Sequence, residues 1–586
     1  MLRAATVEAA KARAVRRPGA RVDLAVAGGY LLASVLLYVR LWADPGRRYL
    51  VNGGQDQHQW EWFFAVTARA VTHLDDPLFT HLQNAPLGVN LMANTVMLGL
   101  SVPLTPVTLA FGPSATWTVV LTGGVAASAA AWYWLFSRRL GRSRPAAAIA
   151  GAFCAFAPPM VSHANAHPNF VVLFVLPLVI DRAVRLWRDG RPVRDGVVLG
   201  LLLAYQLLLG EEPLLLAATG LVVFAAAYAL ARPDELRDAA RTLAAGLGIA
   251  AGVALALMAY PLYWQFTGPQ SYRALPHGPS GNDLLAITGL AERSLAGPTP
   301  NRAGFTEQNA FFGWPLAILA VFLVVWLRHN AAALAAGAVV AVATVLSLGP
   351  EITLDGEGTG IAGPWRLFSR LPLYESVLES RLTMVCVPAL ALLIAIATDQ
   401  VRSISAAAPW RAAPLRMLGC VVLVQALLPI APRPLAAENR EPTPAFFAHG
   451  VWRDHVREGR TVVTVPLADA ASAAPLRWQV DAGLGFALAE GYFVGPWGPE
   501  RRGVYGAVPR PTASLLRAAA EKDAVPPVTD AERRTARADL AYWRADAVVL
   551  APHPRGPVLR ETLDRLLGPG REAGGVRVWD VRMLSG

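Results

Sequence analysis

The residues best suited to chemistry are concentrated in Asn52-Gly-Gly-Gln-Asp56-Gln-His58-Gln-Trp60-Glu61-Trp62. Carboxylates accept hydroxyl hydrogens, amides bond either way, and indole faces stack on C–H-rich sugar faces, so this mix suits a polar, ring-shaped ligand. Asp56, with His58 and Glu61 close behind it, is the catalytic candidate. A hydroxyl attacking an anomeric carbon needs a carboxylate within hydrogen-bond reach to take its proton. Glu61 is the alternative base, and His58 and Trp60 are the candidates for holding the ligand. The structural alternative is that Asp56 caps a helix N-terminus within a solvated loop whose aromatics sit at a membrane interface.

Other constellations lie further along. Asp75-Asp76 offer oxygen ligands to a divalent cation, but a helix ending in an Asp-Pro turn fits them better. His163 and His167 flank Asn165 and could share a metal on one helical turn. Pro158-Pro159 and Pro168 argue instead for a loop, no third ligand is evident, and hydrogen bonding to a ligand is the better reading. Glu211-Glu212-Pro213 sits in a tight turn between apolar runs, where acids either bind a ligand or are simply solvated. Arg273, Arg302, Arg366, Arg370 and Arg381 fall on the outer side in the topology below, against the usual charge bias. A guanidinium fork matches a phosphate bidentately; for Arg381 the competing partners are Glu375 and Glu379. Tyr492, Trp497 and Tyr505 occupy a Gly/Pro-rich stretch and either stack on sugar or pack against the membrane part.

These residues are positioned by a chain of 586 residues that is 54% hydrophobic and only 16% charged, with mean hydropathy +0.38. That composition is that of a polytopic membrane protein. The formal charge of +11 comes from basic residues scattered in short groups between apolar runs, which excludes a nucleic-acid-binding face. Three cysteines, all in apolar runs, exclude a disulfide framework and a cysteine metal site. The basic segment 11–21 precedes an apolar run long enough to span, with no small-residue cleavage site after it, so a cleavable signal is not expected.

Spanning segments are expected at 23–43, 115–136, 146–161, 169–186, 195–210, 213–231, 242–264, 311–327, 331–348, 382–399 and 415–432, about 11 in all. The apolar run 91–111, interrupted by Pro103 and Pro106, is read as re-entrant or interfacial. The basic clusters 138–144, 182–194, 232–241, 328 and 402–416 then share one side with the cytoplasmic basic N-terminus 1–22. Non-helical backbone at membrane depth needs protein or a wet cavity around it, which implies an outer cavity near 91–112. The membrane domain is 23–432, with outer loops 44–90, 265–310 and 349–381 carrying most of the acids. Trp60, Phe64, Val71 and Leu74 recur at helical spacing, so an interfacial amphipathic helix is expected over 57–74. From 433 the composition changes. Strands are expected at 460–466, 545–551 and 575–580 and helices at 512–522 and 556–567, giving an outer α/β domain over 433–586.

An acidic motif just after the first span, a horizontal helix in the first outer loop and a soluble C-terminal domain together resemble the GT-C superfamily of integral-membrane glycosyltransferases. Here Asp56 to Glu61 take the place of the motif, 57–74 that of the helix and 433–586 that of the outer domain. Stretches around His163 to Asn169, Asn282-Asp283-Leu284, Glu307 and Leu348-Gly-Pro350 also resemble uncharacterised actinobacterial members. The resemblance implies a multi-pass plasma-membrane enzyme with an extracytoplasmic active face. Its donor would be a polyprenyl-phosphate sugar drawn from the membrane lipid, and its acceptor an envelope glycan, lipid or exported protein. Displacement would invert the anomeric centre. Asp56 would be the base, Arg381 would hold the donor phosphate, and Asp283, Glu211 and Glu307 would line the substrate. Asp56 has Gln on both sides where many members carry adjacent acids, so a divalent cation is a conceivable cofactor but not a required one. A transporter or flippase, or a non-catalytic envelope scaffold, is the alternative. The few charges deep inside the apolar runs argue against transport.

Overall fold

The computed structural model describes residues 2–188, 190–299, 307–407, 410 and 412–584, with side chains from residue 19 onward; Arg302 lies outside the described residues. Among these, five helices are long and apolar enough to cross a membrane: Gly19–Leu37, Pro113–Arg139, Glu211–Ala231, Pro233–Thr267 and Glu379–Ala407. Each coincides with an expected span. Arg144–Phe156, Trp314–Trp326, Ala331–Leu346 and Ala412–Leu427 are apolar but shorter, and Val175–Arg188 and Pro192–Leu207 fill two more of the expected runs. At 1.5 Å rise per residue, a helix of 13 residues covers about 20 Å, short of the roughly 30 Å of bilayer hydrocarbon. The chain is therefore a multi-pass helical membrane protein in which five of the expected runs reach full spanning length. The run 91–111 does not form one helix. It breaks into a turn at Met92–Asn94 and short helices Leu98–Ser101 and Thr105–Phe111.

The chain folds as two units: 1–43, 118–257 and 277–436 form one, and 44–117, 258–276 and 437–586 form the other. Sequence composition places a boundary at 433; the structure in addition groups the first loop with the C-terminal region. A five-stranded sheet organises the second unit, in the spatial order Arg571–Ala573, Val576–Asp580, Ala545–Leu550, Thr461–Val465, Ala487–Leu488. The two central strands run parallel and are buried along their whole length, which explains their near-continuous apolar sequence. Helices Pro511–Lys522, Asp530–Tyr542 and Gly556–Leu567 contribute Leu516, Leu540 and Leu559 to the core around Trp543. Thr529 and Glu532 form a capping box that fixes where the second of these begins.

The first-loop helix, Gly54–His73, belongs to this unit and is far from amphipathic. Trp60, Trp62, Phe63, Phe64 and Val66 are all buried, whereas Val71 and Leu74, expected on the apolar face, are exposed. The sequence pattern misses this because partners from distant parts of the chain cover the flank that it leaves polar. Trp62 donates its indole N–H to Gln479 Oε1 at 2.6 Å, and Arg69 donates to the Leu484 carbonyl at 3.1 Å.

One ion pair sets the depth of this helix. Strand Arg48–Leu50 pairs antiparallel with Ala437–Asn439, which carries Arg440 inward. The Arg440 guanidinium donates to both oxygens of Glu61, at 2.6 and 2.5 Å, and its Nε donates to the Arg48 carbonyl at 2.7 Å. Gln57 donates to Glu61 Oε1 at 2.8 Å and accepts from the Leu50 amide at 3.2 Å. Both charged side chains are almost wholly buried, 2% and 5% exposed. Burial works to raise the Glu61 carboxyl pKa, but the Arg440 charge and its hydrogen bonds outweigh that and hold it below the ordinary value.

Arg440→Ala leaves Glu61 buried without a counter-charge, and the expected cost is roughly 3–5 kcal/mol of stability, read by thermal or denaturant unfolding. Because folding lowers the Glu61 pKa, the pair stabilises the fold above the unfolded carboxyl value of 4.5 and loses its effect as pH falls below that. Glu61→Gln should remove this acid-side loss.

Candidate active site

Asp56 lies in the first turn of the first-loop helix, where the positive end of the helix dipole favours a carboxylate. Gly53, not Asp56, occupies the cap position, so capping does not account for the acid. Tyr492 donates its phenol O–H to Asp56 Oδ1 at 2.7 Å across 436 residues of sequence. Burial, and then the Asp56 charge and hydrogen bond, push the Tyr492 phenol far above its ordinary pKa. It therefore acts as a fixed donor and keeps its proton. Gln59 donates to the Tyr492 carbonyl at 3.0 Å, which fixes the backbone that presents the phenol. Beyond Tyr492 the hairpin Val494–Trp497 with Arg502–Tyr505 presents two open aromatic rings, Trp497 at 58% and Tyr505 at 53% exposed. Tyr505 lies 6.5 Å from the Tyr492 ring.

The other residues predicted from the first loop have different surroundings. Glu61 is held by Arg440, as described above. Trp60 is buried and packs edge-to-face on Phe63 at 5.6 Å. His58 is half-buried beside Tyr49; its Nδ1 is buried without a hydrogen-bond partner, and burial, then Arg440 and Arg477, pull its pKa down to about 4 against the opposing pull of Glu61. It is neutral at physiological pH. Asp75 pairs with Arg69 at 3.5 Å, and Asp76 accepts from the Leu78 amide at 2.8 Å, the contacts of a turn.

The membrane-domain unit holds a second cluster of polar residues. His163 ends the short helix Pro158–His163, and the loop that follows brings His167 back so that the two Nδ1 atoms lie 3.0 Å apart. The Asn309 side-chain amide donates to Glu307 Oε2 at 3.0 Å, so its Oδ1 is the acceptor for His163 Nε2 at 2.8 Å. That fixes the tautomer: His163 carries its proton on Nε2 and presents an Nδ1 lone pair toward His167. Burial pulls the His163 pKa down to about 3 despite Glu307, so the ring is neutral. Glu307 receives Arg381 as a two-point fork, with Nε donating to Oε2 at 2.9 Å and Nη2 to Oε1 at 2.5 Å. The remaining Arg381 nitrogen, Nη1, donates to Glu212 at 2.5 Å. Burial works to raise the Glu307 pKa, but Arg381 outweighs it and holds the carboxyl well below the carboxylate range. The Arg381 guanidinium also lies over the Phe170 ring at 4.7 Å.

Four of the predicted residues, His163, His167, Glu307 and Arg381, thus converge, together with Glu212. The acids that sequence proximity offers to Arg381 do not pair with it. Glu379 accepts from the Ser280 amide and hydroxyl at 2.9 and 3.0 Å, and Glu375 is exposed. Asp283 caps the helix Leu284–Thr288 through the Leu285 amide at 2.8 Å and holds the Gly356 amide at 2.9 Å. Glu211 starts the Glu211–Ala231 helix beside Glu212. Sequence reasoning passed over Asn309 and Arg440, which carry no local signal; their roles arise from contacts made across more than a hundred residues.

His163, His167 and Glu307 each offer a ligand atom, and these lie within 4.8 Å of one another. Ligands at about 2.0–2.2 Å from a zinc ion are at most roughly 4.4 Å apart, so a small contraction would accommodate a cation. The donor set of two imidazoles and a carboxylate suits zinc, and the Asn309 contact already orients one imidazole as a metal ligand requires.

No protein-family model and no curated protein matches the sequence. Solved structures of the Archaeoglobus fulgidus oligosaccharyltransferase do match. One, in complex with Zn and sulfate, is 12% identical with TM-score 0.50, covering 90% of this chain and 68% of that one. Another, of AglB with an inhibitory peptide and a dolichol-phosphate, is 13% identical with TM-score 0.49, over 90% and 69%. A likeness at such low identity is one of fold: the chain shares the fold of the Archaeoglobus fulgidus oligosaccharyltransferase.

Proposed function

We propose that the chain is a glycosyltransferase of the plasma membrane that moves a sugar from a polyprenyl-phosphate donor to a cell-envelope acceptor at the outer face. The acceptor is a glycan, a lipid or an exported protein. The observation that carries the reading is the Tyr492 hydrogen bond to Asp56, which orients a carboxylate against the residue that leads into the hairpin carrying Trp497 and Tyr505. The fold it shares with an oligosaccharyltransferase supports the same class of reaction.

In this reading the acceptor hydroxyl gives its proton to Asp56 as its oxygen bonds to the anomeric carbon. The bond from that carbon to the donor phosphate oxygen breaks on the opposite side, and the phosphate leaves with the electron pair, inverting the centre. Tyr492 holds one Asp56 oxygen in place and so orients the carboxylate. Trp497 and Tyr505 stack on sugar faces. Within the membrane-domain unit, Arg381 binds a lipid phosphate through Nη1, the nitrogen bound to Glu212. Exchanging that single contact disturbs less than opening the two-point fork to Glu307.

A divalent cation bound by His163, His167 and Glu307 would neutralise charge on a phosphate held by Arg381. The specific observation favouring it is the convergence of three ligand atoms around a neutral, oriented His163. The similar oligosaccharyltransferase in complex with Zn and sulfate supports testing zinc first.

Purified protein in lipid nanodiscs with a panel of radiolabelled polyprenyl-phosphate sugars should consume at least one donor. Asp56→Asn should reduce turnover by roughly 10²–10⁴-fold. Tyr492→Phe removes one hydrogen bond to a charged group, about 1.5–3 kcal/mol, so kcat should fall by tens of fold with KM for donor little changed. Full turnover in a folded Asp56→Asn protein would remove Asp56 as the base, and no turnover with any donor would return the chain to the transporter reading.

Glu212→Gln should lower the donor KM by releasing Arg381 Nη1, whereas Arg381→Gln should raise it. An unchanged KM in both would separate Arg381 from the donor phosphate. For the metal, protein dialysed against zinc should retain about one equivalent by elemental analysis, as one three-ligand site predicts. His163→Ala and His167→Ala should each lose it; retention in both would place the zinc elsewhere.

A further inference from the structure

The connection between the apolar helices Ala331–Leu346 and Glu379–Ala407 contains a short segment, 364–373, of sequence Pro-Trp-Arg-Leu-Phe-Ser-Arg-Leu-Pro-Leu. Its solvent-facing side is the reverse of what a solvated loop presents. Leu367, Leu371 and Leu373 are 77%, 44% and 57% exposed, with Arg366 exposed just before them and Arg370 exposed among them. Single exposed leucines need no explanation, but three within seven residues form an apolar patch.

The segment is not loose. Trp365 is 3% exposed and lies 6.0 Å from both the Phe368 and the Tyr374 rings, and those two are 6.0 Å from each other. The Tyr374 hydroxyl bonds the Thr219 hydroxyl at 2.7 Å, tying the trio to the spanning helix Glu211–Ala231. The aromatic side is thus spent on holding the segment to the membrane domain, and that attachment leaves the leucines and arginines facing away. Arg366 donates its Nε to the Pro350 carbonyl at 2.6 Å. Among the described residues neither Arg366 nor Arg370 has an acidic partner within 4 Å, although Glu375 is five residues from Arg370.

We propose that 364–373 is a membrane-interface anchor, whose leucines enter the acyl boundary of the bilayer and whose arginines bind the phosphates of anionic lipid headgroups. The occupant is bilayer lipid for two reasons. The segment ends six residues before the spanning helix Glu379–Ala407, and Tyr374 ties it to a second one, Glu211–Ala231, so it lies against helices whose own outer faces meet lipid. An apolar patch flanked by guanidinium groups that have no acidic partner among the described residues also matches the headgroup region, which offers hydrocarbon below and phosphate above. This also gives Arg366 and Arg370 a reason to lie on the side of the membrane where arginine is rare. The proposal stands whether or not the chain transfers sugars.

The test uses the full chain in nanodiscs, in a Cys420→Ser background, since Cys154 and Cys386 are buried. Leu367→Cys, Leu371→Cys or, as a control in the exposed strand Glu357–Ala362, Glu357→Cys is labelled with an environment-sensitive fluorophore. Lipids spin-labelled just below the headgroup are then added as quenchers. Labels at 367 and 371 should lose most of their emission and the label at 357 little. Including phosphatidylglycerol beside phosphatidylcholine should strengthen quenching at 367, and Arg366→Gln with Arg370→Gln should abolish that increase. Quenching at 367 and 371 no greater than at 357 would overturn the anchor. Quenching that is indifferent to phosphatidylglycerol, or unchanged in the double variant, would overturn the headgroup contact. The substituted side chains are all exposed, so loss of folding does not confound the outcome; donor binding or zinc content is not read at all, so failure here leaves the glycosyltransferase reading untouched.

Discussion

A buried guanidinium has to be matched by carboxylates with good geometry, because an unpaired charge away from water is costly. Each unit of this protein is organised around one such constraint. Arg440 receives Glu61 in a two-point fork and bonds the Arg48 carbonyl besides, so the first loop and the start of the C-terminal region must fold together. With Glu61 fixed at depth, the preceding turn of the same helix carries Asp56, five residues earlier, to a place where Tyr492 can reach it. The pair therefore positions the half-buried Asp56 carboxylate by burying that of Glu61.

Arg381 meets the same demand differently. It is bound by two carboxylates, Glu307 and Glu212, with a neutral His163 and with His167 against them. Burial raises the Glu212 carboxyl pKa while Arg381 holds that of Glu307 down, so Glu307 is the acid that balances the guanidinium and the imidazoles remain as further donors. Where Arg440 and Glu61 form a closed, balanced pair, the Arg381 cluster has ligand capacity left over. The difference separates a structural ion pair from one suited to take part in binding, and it rests on composition and geometry more than on the strength of any one contact.

The long connections of the membrane domain show how little of such a loop is free. Asp283 caps one short helix and holds the turn at Gly356; Glu379 ties down Ser280; the Trp365, Phe368 and Tyr374 rings fasten 364–373. Several acids and aromatics that might have addressed a ligand are used to give these loops one shape. The side chains that remain outward, Leu367 and Arg370 among them, are then the informative ones.

The sequence by itself determined the class and most of the elements. Apolar run lengths identified the multi-pass membrane part; β-rich runs located strands Thr461–Val465, Ala545–Leu550 and Val576–Asp580; and helical periodicity located Pro511–Lys522 and Gly556–Leu567. These signals are local, since side-chain alternation and run length are properties of a few neighbouring residues. The same locality explains the failures. Val71 and Leu74 shared the helical spacing of Trp60 yet face outward, because burial of the first-loop helix is decided by Gln479 and Leu484, more than 400 residues away. The sequence marks Arg381 as a candidate and offers it Glu375 and Glu379, whereas its partners in the fold are Glu212 and Glu307. Tertiary structure alone decided which acid met which base, because electrostatic pairing acts through space and leaves no mark on the order of residues along the chain.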